Sequence, residues 1–482
     1  MGSWFESRLR SLQEGKPSFP FFVWRYRTDM SDETIDEAEL AAIEADETLV
    51  EAVTPTIRTS RKAFRALRHR NYRLFFFGQL ISLIGTWMQT TALPLLIIQL
   101  VPQKQQGIWL GIYGFLPLVP LIPLALIAGS LADRFPKRRI LVLTQTTMML
   151  QAFVLAVLTA TGTIQMWQIL LLAFIAGAAN AIDLPARQAF VVEMVEDPED
   201  LGSGIALNSA IFNLGRAFGP VLAGLLIASL GFSAAFAVNG ISFLAVIAGL
   251  LLMHLPPAPE HQHHAKMGAH LVEGLSYVWH NSTLMILMSL VAVSAFLSMP
   301  FMTLMPIFAS SQLAPSAQPV VNTVCSWMIC QNPEAVTYGL LLGMFGAGAL
   351  IGALLAGAYS DRGRGRLLTI GNLGFPLALL IFAISQSFWL SMAVLLGVGI
   401  LFVLQNALAN TLVQLASPDR LRGRVMSVYS LVFQGMQGAG RMQAGLTETM
   451  LGAPLSVAIG ALVSLVYGLF VFFKWPVIRR MK

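Results

Sequence analysis

The chain has 482 residues, of which 56 % are hydrophobic and only 12 % charged, with a formal net charge of +6. Soluble proteins carry about a quarter charged residues, so this composition excludes an ordinary soluble fold and predicts an integral membrane protein. The apolar runs reach roughly 20 residues, which suits helices across a hydrocarbon core, and they lack the alternation of membrane β-strands, so the predicted fold is all-α.

Residues 1–57 stand apart from this pattern. An aromatic and basic opening from Phe19 to Arg27 precedes ten carboxylates between Asp29 and Glu51, with no basic residue among them. Low apolar content and like charge predict a disordered, acidic cytoplasmic tail, either a docking segment or a solvated extension. No apolar stretch follows the first basic residues, so nothing here resembles a cleavable signal peptide, and Gly2 lacks the Ser or Thr context of a myristoylation site. Residues 58–73 then form a basic amphipathic segment suited to lying on an anionic inner leaflet.

Twelve spans are predicted. Six fall at roughly 74–100, 108–131, 140–162, 166–186, 202–230 and 233–254. A central cytoplasmic linker at 255–282 follows, and six more spans fall at roughly 284–309, 338–359, 367–386, 389–412, 425–446 and 451–474. The expected organisation is an N-terminal bundle over 74–254, a C-terminal bundle over 283–474 and a short tail at 475–482.

Basic residues sort by loop. Seven lie from Arg58 to Arg73, four from Arg134 to Arg139, three from Arg362 to Arg366, three from Arg420 to Arg424 and four from Lys474 to Lys482. The alternate loops are nearly bare apart from Lys104. By the positive-inside rule, the basic loops and both termini face the cytoplasm. A nucleic-acid surface would not alternate loop by loop, so no such partner is expected.

The two halves echo one another. Gly129-Ser130-Leu131-Ala132-Asp133-Arg134-Phe135-Pro136-Lys137-Arg138-Arg139 follows the second span, and a thinner copy from Gly357 through Asp361-Arg362 to Arg366 holds the same place in the second half. Asp197-Pro198-Glu199-Asp200-Leu201 before the fifth span likewise matches Ser417-Pro418-Asp419-Arg420-Leu421 before the eleventh. Two echoes in register predict parallel repeats of six helices.

Six plus six spans, a cytoplasmic centre and the Gly-x-Leu-Ala-Asp-Arg-x-x-Lys-Arg loop together resemble the major facilitator superfamily of secondary transporters, over roughly residues 64–475. The loop departs from the family pattern at Pro136, where Gly is usual. Arg70-Asn71-Tyr72-Arg73-Leu74-Phe75 and Gly85-Thr86-Trp87-Met88-Gln89 resemble the branch of drug:proton antiporters that includes enterobactin exporters and macrolide efflux proteins.

The loop residues suit a conformational latch. Asp133 at a helix end can pair with Arg134, Lys137 or Arg138 and with a neighbouring helix N-terminus, and Gly129 permits that helix to approach. Such a cluster, weakly repeated at Gly357, Asp361 and Arg362, would join the halves on the inner side and break for inward opening. A topological stop signal explains the Arg and Lys but not the Asp.

In the fifth span, Gly215, Gly219, Pro220 and Gly224 resemble the antiporter motif Gly-x-x-x-Gly-Pro-x-x-Gly-Gly, with Ala223 replacing one Gly. The resemblance implies export by exchange; close helix packing is the alternative. Arg216 lies mid-span, where an unpaired cation costs about 2.5–3.5 kcal/mol or more. It should meet a substrate anion or Asp183 of the fourth span, unless it forms a purely structural ion pair. Asn213 and Asn208 are expected near its helix face.

Gln434, Arg441 and Glu448 recur every seven residues along the eleventh span, with Gln437 three after Gln434, and should share one interior face. Glu448 has a second reading as an interfacial acid. Gln79, Ser82, Thr86, Gln89 and Thr90 form a polar face on the first span that suits the pathway, while Gln405, Asn406 and Asn410 of the tenth suit either pathway or helix-to-helix bonding. The abundant Met and Phe suit a pliable greasy cavity.

Six of the seven His fall from His254 to His280, and without acidic or Cys partners at ligand spacing they read as solvated linker, so no metal site is expected. Cys325 and Cys330 lie in a loop predicted outside the cytoplasm, where a disulfide is permitted and free thiols are the alternative. No P-loop, His-Glu-x-x-His or nucleophile elbow is present, so neither an enzyme nor a cofactor is expected and an ion or solute gradient must supply the energy.

The prediction is a multi-pass secondary transporter of a bacterial inner membrane, a monomer by the family's habit, exporting an amphipathic small molecule such as a drug or siderophore. Protons are the expected coupling ion, with Asp183 and Glu448 as carriers and Arg216 and Arg441 as anion partners. The alternatives are a lipid or lysophospholipid flippase, and a non-transporting receptor or scaffold working through the acidic tail.

Overall fold

A backbone inside hydrocarbon has no water to bond, so each spanning segment must close its hydrogen bonds within itself. The computed structural model describes residues 64–121, 123–124, 135–195, 197–254, 267–358 and 363–481, and their regular structure is helical throughout. The chain divides into Met1–Arg61 and Lys62–Lys482, and every described residue belongs to the second unit. The acidic tail, Gly129, Asp133, Arg134, Asp361, Arg362 and the His261-to-His264 patch lie outside the described residues.

The first half comprises α1 (Arg70–Leu100), α2 (Gln106–Phe115), α3 (Lys137–Ala160), α4 (Met166–Met194) and α5 (Leu201–Leu252). After α6 (Met267–His280), the second half comprises α7 (Ser282–Val293), α8 (Phe301–Ile307), α9 (Ala314–Trp327), α10 (Glu334–Ala358), α11 (Arg364–Ile384), α12 (Phe388–Leu415), α13 (Arg422–Leu451) and α14 (Ala453–Lys474). Among the described residues, nine stretches are long and apolar enough to cross a membrane. They include all of α5, in which Gly231 adopts φ 81° and ψ 179°, so the spans expected at 202–230 and 233–254 meet at one break without a loop. Only glycine enters that backbone region without strain. The polar stripe of α13 keeps it out of the nine.

The span expected at 284–309 is one broken helix from Ser282 to Gln312. Pro300 and Pro306 lack the N–H that an α-helix needs, and π-helical turns at Ser294–Ser298 and Phe308–Gln312 flank α8. Met299, Met302 and Thr303 are presented from this interruption.

Small residues govern where the halves meet. α5 packs against α1 and α10, and α2 packs against α13. A Cβ on Gly339 would lie 2.5 Å from the Pro220 carbonyl oxygen and 2.9 Å from the Gly224 Cα, so α5 and α10 touch backbone to backbone. Gly445 and Gly111 make the equivalent contact between α13 and α2, where a Cβ on Gly445 would lie 2.9 Å from the Gly111 Cα.

The first charged segment is tied to protein. Arg65 bonds the Asp200 carboxylate at 2.9 Å and His69 bonds it at 3.2 Å, which anchors the chain ahead of α1 to the turn ahead of α5. On sequence alone this basic segment is expected at the lipid surface. Asp200 is nearly fully buried, and a buried carboxylate holds its partners where a leaflet could not.

Candidate functional site

A cavity of about 430 Å³ lies between the halves. Trp87, Thr90 and Pro94 of α1, Tyr113 of α2 and Phe212 and Arg216 of α5 form one wall. Tyr338 and Phe345 of α10, Phe402 of α12 and Phe433, Gln437 and Arg441 of α13 face them, with Met299 and Met302 between. Its volume lies in the range of about 300–1,000 Å³ that holds drug-sized ligands.

Two cations and no acid line this space among the described residues. The Arg216 guanidinium carbon lies 5.0 Å from the centre of the Phe212 ring and 5.7 Å from that of Trp87, with the two rings edge to face. Phe212 stands one turn before Arg216, so the helix itself stacks ring and cation. Gly215 and Gly219 hold α5 close to Trp87, which seats the indole against the guanidinium. Arg441 donates to the Gly114 carbonyl across the halves at 3.3 Å and to the Gln437 amide oxygen at 3.2 Å, and Gln437 donates to the Met299 sulfur at 3.2 Å. Neither arginine forms an ion pair with a described residue.

Asp183 does not meet Arg216. It is fully buried, accepts from Thr144 Oγ1 at 2.7 Å and Gln145 Nε2 at 2.9 Å, and pairs with Arg187 one turn along α4. The Gln79 amide, with O and N assigned from its surroundings, accepts from Arg187 Nε at 3.1 Å. The i, i+4 spacing within α4 supplies the nearer cation, which the mid-span position of Arg216 could not reveal. The result is a braced ion pair joining α1, α3 and α4.

Several other expected pathway residues bond helices together. Gln89 donates to Gln151 at 3.0 Å and accepts from Asn239 at 2.8 Å, away from the cavity. Asn213 donates to the Ser209 carbonyl, and Asn208 and Gln434 are not among the cavity residues. Gln405 donates to Asn372 at 3.0 Å and accepts from Ser294 at 3.2 Å. Of the stripe on α13, Gln437 and Arg441 face the cavity. Glu448 packs against the backbone of Gly107 in the first turn of α2, and its Oε2 is buried without a hydrogen bond. The positive end of α2 offsets that charge.

The halves are also joined at the end of the bundle marked by Gln99. Gln99 Nε2 donates to Glu334 at 2.5 Å and to Asn332 at 3.3 Å. The Gln331 amide donates to the Ala228 carbonyl at 2.6 Å, and Asn332 reaches Ala228 and Ile227 at 3.4 Å. Cys325 and Cys330 form a disulfide directly before this segment. At the opposite end, Lys137 pairs with Glu193 and Arg138 donates to the carbonyls of Leu251 at 2.6 Å and Met253 at 3.3 Å. These described latch residues bond within the first half, and none of the ion pairs of Arg65, His69, Lys137, Arg187, Arg420, Arg422 and Arg424 joins the first half to the second, those of Arg420 and Arg424 running to Glu273 of α6. Gly357 is the next-to-last residue of α10, and no described atom outside its own turns of helix lies within 4 Å of where a Cβ would stand on it.

Trp87 and Phe212 as partners of Arg216, and Tyr113 and Tyr338 as cavity residues, are not legible in the sequence pattern. One signal was present: of the α2 glycines, 107 and 111 meet Gly445 and 114 meets Arg441, and their spacing marks the helices that touch there.

A helical membrane bundle holding a ligand-sized cavity between its halves is the architecture expected of a membrane transporter. The chain belongs to the major facilitator family of transmembrane secretion effectors, which matches residues 61–481. It is 25 % identical to the multidrug efflux pump Tap of Mycolicibacterium fortuitum over 395 residues, 80 % of this chain and 89 % of that one. It is 23 % identical to the enterobactin exporter EntS of Citrobacter koseri over 419 residues, 86 % of this chain and 94 % of that one. Identity with the staphyloferrin A transporter of Staphylococcus aureus is 27 %, over 38 % of this chain and 45 % of that relative. The nucleoside transporter NupG shares the fold, with a TM-score of 0.66 at 12 % identity over 84 % of this chain and 99 % of that one. The family is one of transporters rather than enzymes, its efflux members make a small-molecule substrate the expectation, and it does not favour the flippase or scaffold alternatives.

Proposed function

We propose that this protein exports an amphipathic small molecule across a bacterial inner membrane, driven by protons and working by alternating access as a monomer. Twelve spans form two parallel repeats, 74–254 and 283–474, joined by a cytoplasmic linker at 255–282, with both termini in the cytoplasm. The observation that carries this reading is a cavity lined from both halves while the direct bonds of Gln99, Gln331 and Asn332 join those halves at one end. In the positive-inside orientation that end faces away from the cytoplasm, so the described state is the one in which the outer side is held together. Opening it would require the Glu334 and Asn332 bonds to part and the latch of Asp133, Arg134, Lys137 and Arg138 to engage its partners.

Asp183 and Glu448 remain the proton carriers in this scheme. Glu448 is the more direct of the two, because its carboxylate bridges α13 and α2, and neutralising it would weaken that contact. Purified protein in liposomes should accumulate substrate against an imposed proton gradient, and Glu448→Gln or Asp183→Asn should abolish accumulation while leaving counterflow measurable. Full gradient-driven activity in both variants would remove the coupling assignment.

A further inference from the structure

We infer that the cavity selects an organic anion carrying a planar aromatic group. This rests on the reading of that cavity as the substrate site. The charge balance is the first observation: Arg216 and Arg441 both line the space, no described lining residue is acidic, and neither guanidinium has an ion-pair partner among the described residues. A buried cation is kept in a membrane protein where it meets a carboxylate, a wet cavity or a ligand. Elsewhere in this bundle that need is met internally, as Arg187 is by Asp183.

The second observation is the state of the donors. Arg441 uses two of its N–H groups on Gly114 and Gln437, which fixes the guanidinium plane between the halves. Among the described residues the Arg216 guanidinium makes no hydrogen bond or ion pair and is approached by the Phe212 and Trp87 rings, so its N–H groups are left for a ligand. A guanidinium fork matches a carboxylate, sulfonate or phosphate, and packing against two rings limits its freedom before the ligand arrives.

The third observation is the lining. Trp87, Phe212, Tyr113, Tyr338, Phe345 and Phe402 offer ring faces and edges, while Met299 and Met302 adapt to the outline of the ligand. A hydrophilic anion gains nothing from these walls, and an aromatic cation must enter beside two like charges. An aromatic acid satisfies both parts of the cavity.

Two dyes on one xanthene skeleton separate the charges: anionic fluorescein and a cationic rhodamine. Binding is read by fluorescence anisotropy with the full chain in nanodiscs at neutral pH, and transport by counterflow in proteoliposomes. Fluorescein should bind saturably and more tightly than the rhodamine. Arg216→Gln and Arg441→Gln should each weaken it by about tenfold or more, the loss of one charge-assisted contact. Arg216→Lys, which keeps the cation but loses the planar fork, should weaken it less than Arg216→Gln does, and Lys104→Gln, at an exposed turn, should change nothing. The comparison of dyes on the unmodified protein stands even if a Gln variant fails to fold. Equal or tighter binding of the rhodamine, no saturable fluorescein binding, or fluorescein binding untouched by both Gln variants overturns the inference. Counterflow of the rhodamine alone overturns it while leaving transport intact. Fluorescein binding without counterflow upholds the anion site and removes the transport reading instead.

Discussion

Gln99, in the last turn of α1, donates to Glu334 in the first turn of α10 at 2.5 Å, and this bond spans the two halves of the molecule. Its neighbours add backbone contacts from Gln331 and Asn332 to the end of the first segment of α5. A hydrogen bond between membrane helices is worth only about 1 kcal/mol, so this seam is strong enough to define a state and weak enough to open.

Cross-linking tests whether the seam opens during transport. Gln99→Cys combined with Glu334→Cys should join readily under oxidation and reduce transport to a small residue of the uncross-linked rate. Reductant should restore it, measured against each single variant under the same treatment so that any effect on the Cys325–Cys330 disulfide is subtracted. A cross-linked protein that transports at full rate would mean that this end never separates.

The brace around Asp183 makes a stability prediction. Arg187→Ala leaves a fully buried carboxylate with hydrogen bonds but no cation, and a broken buried pair costs about 3–5 kcal/mol. Thermal unfolding in detergent should report a clear loss, and adding Asp183→Asn should recover much of it. An Arg187→Ala protein as stable as the parent would show that the pair does not hold α1, α3 and α4 together.

Backbone contact between α5 and α10 gives a third test. Gly339→Val adds atoms where even a Cβ meets the Pro220 carbonyl and Gly224, and such overpacking costs about 1–3 kcal/mol. The population should shift away from the joined state by roughly tenfold. The readout is slower cross-linking of the Gln99→Cys, Glu334→Cys pair in the Gly339→Val background, and an unchanged rate would count against α5 and α10 closing on one another.

The two charged loops should be unequal. The second copy retains Asp361 and Arg362 but surrounds them with glycine, so Asp133→Asn should impair the transport cycle more than Asp361→Asn. Counterflow rates at matched expression decide it. Equal damage, or none, would reduce both loops to topological signals.

Composition alone decided that this chain lives in a membrane as helices, because 12 % charge and repeated apolar runs admit no other solvent. The repeated Asp-Arg loops, the motif glycines of α5 and the cations at 216 and 441 were also visible in the sequence, since helical spacing and the cost of a buried charge act locally. Partners were not. Asp183 turned to Arg187, Gln79 and Gln89 turned to other helices, and Glu448 turned to Gly107, because a polar side chain in hydrocarbon takes whichever neighbour packing supplies. The tertiary structure therefore chose which polar residues became glue and which were left facing the cavity. It left Arg216 and Arg441 there, in a space enclosed by the glycine contacts of α5 with α10 and of α2 with α13 and lined by no described acid.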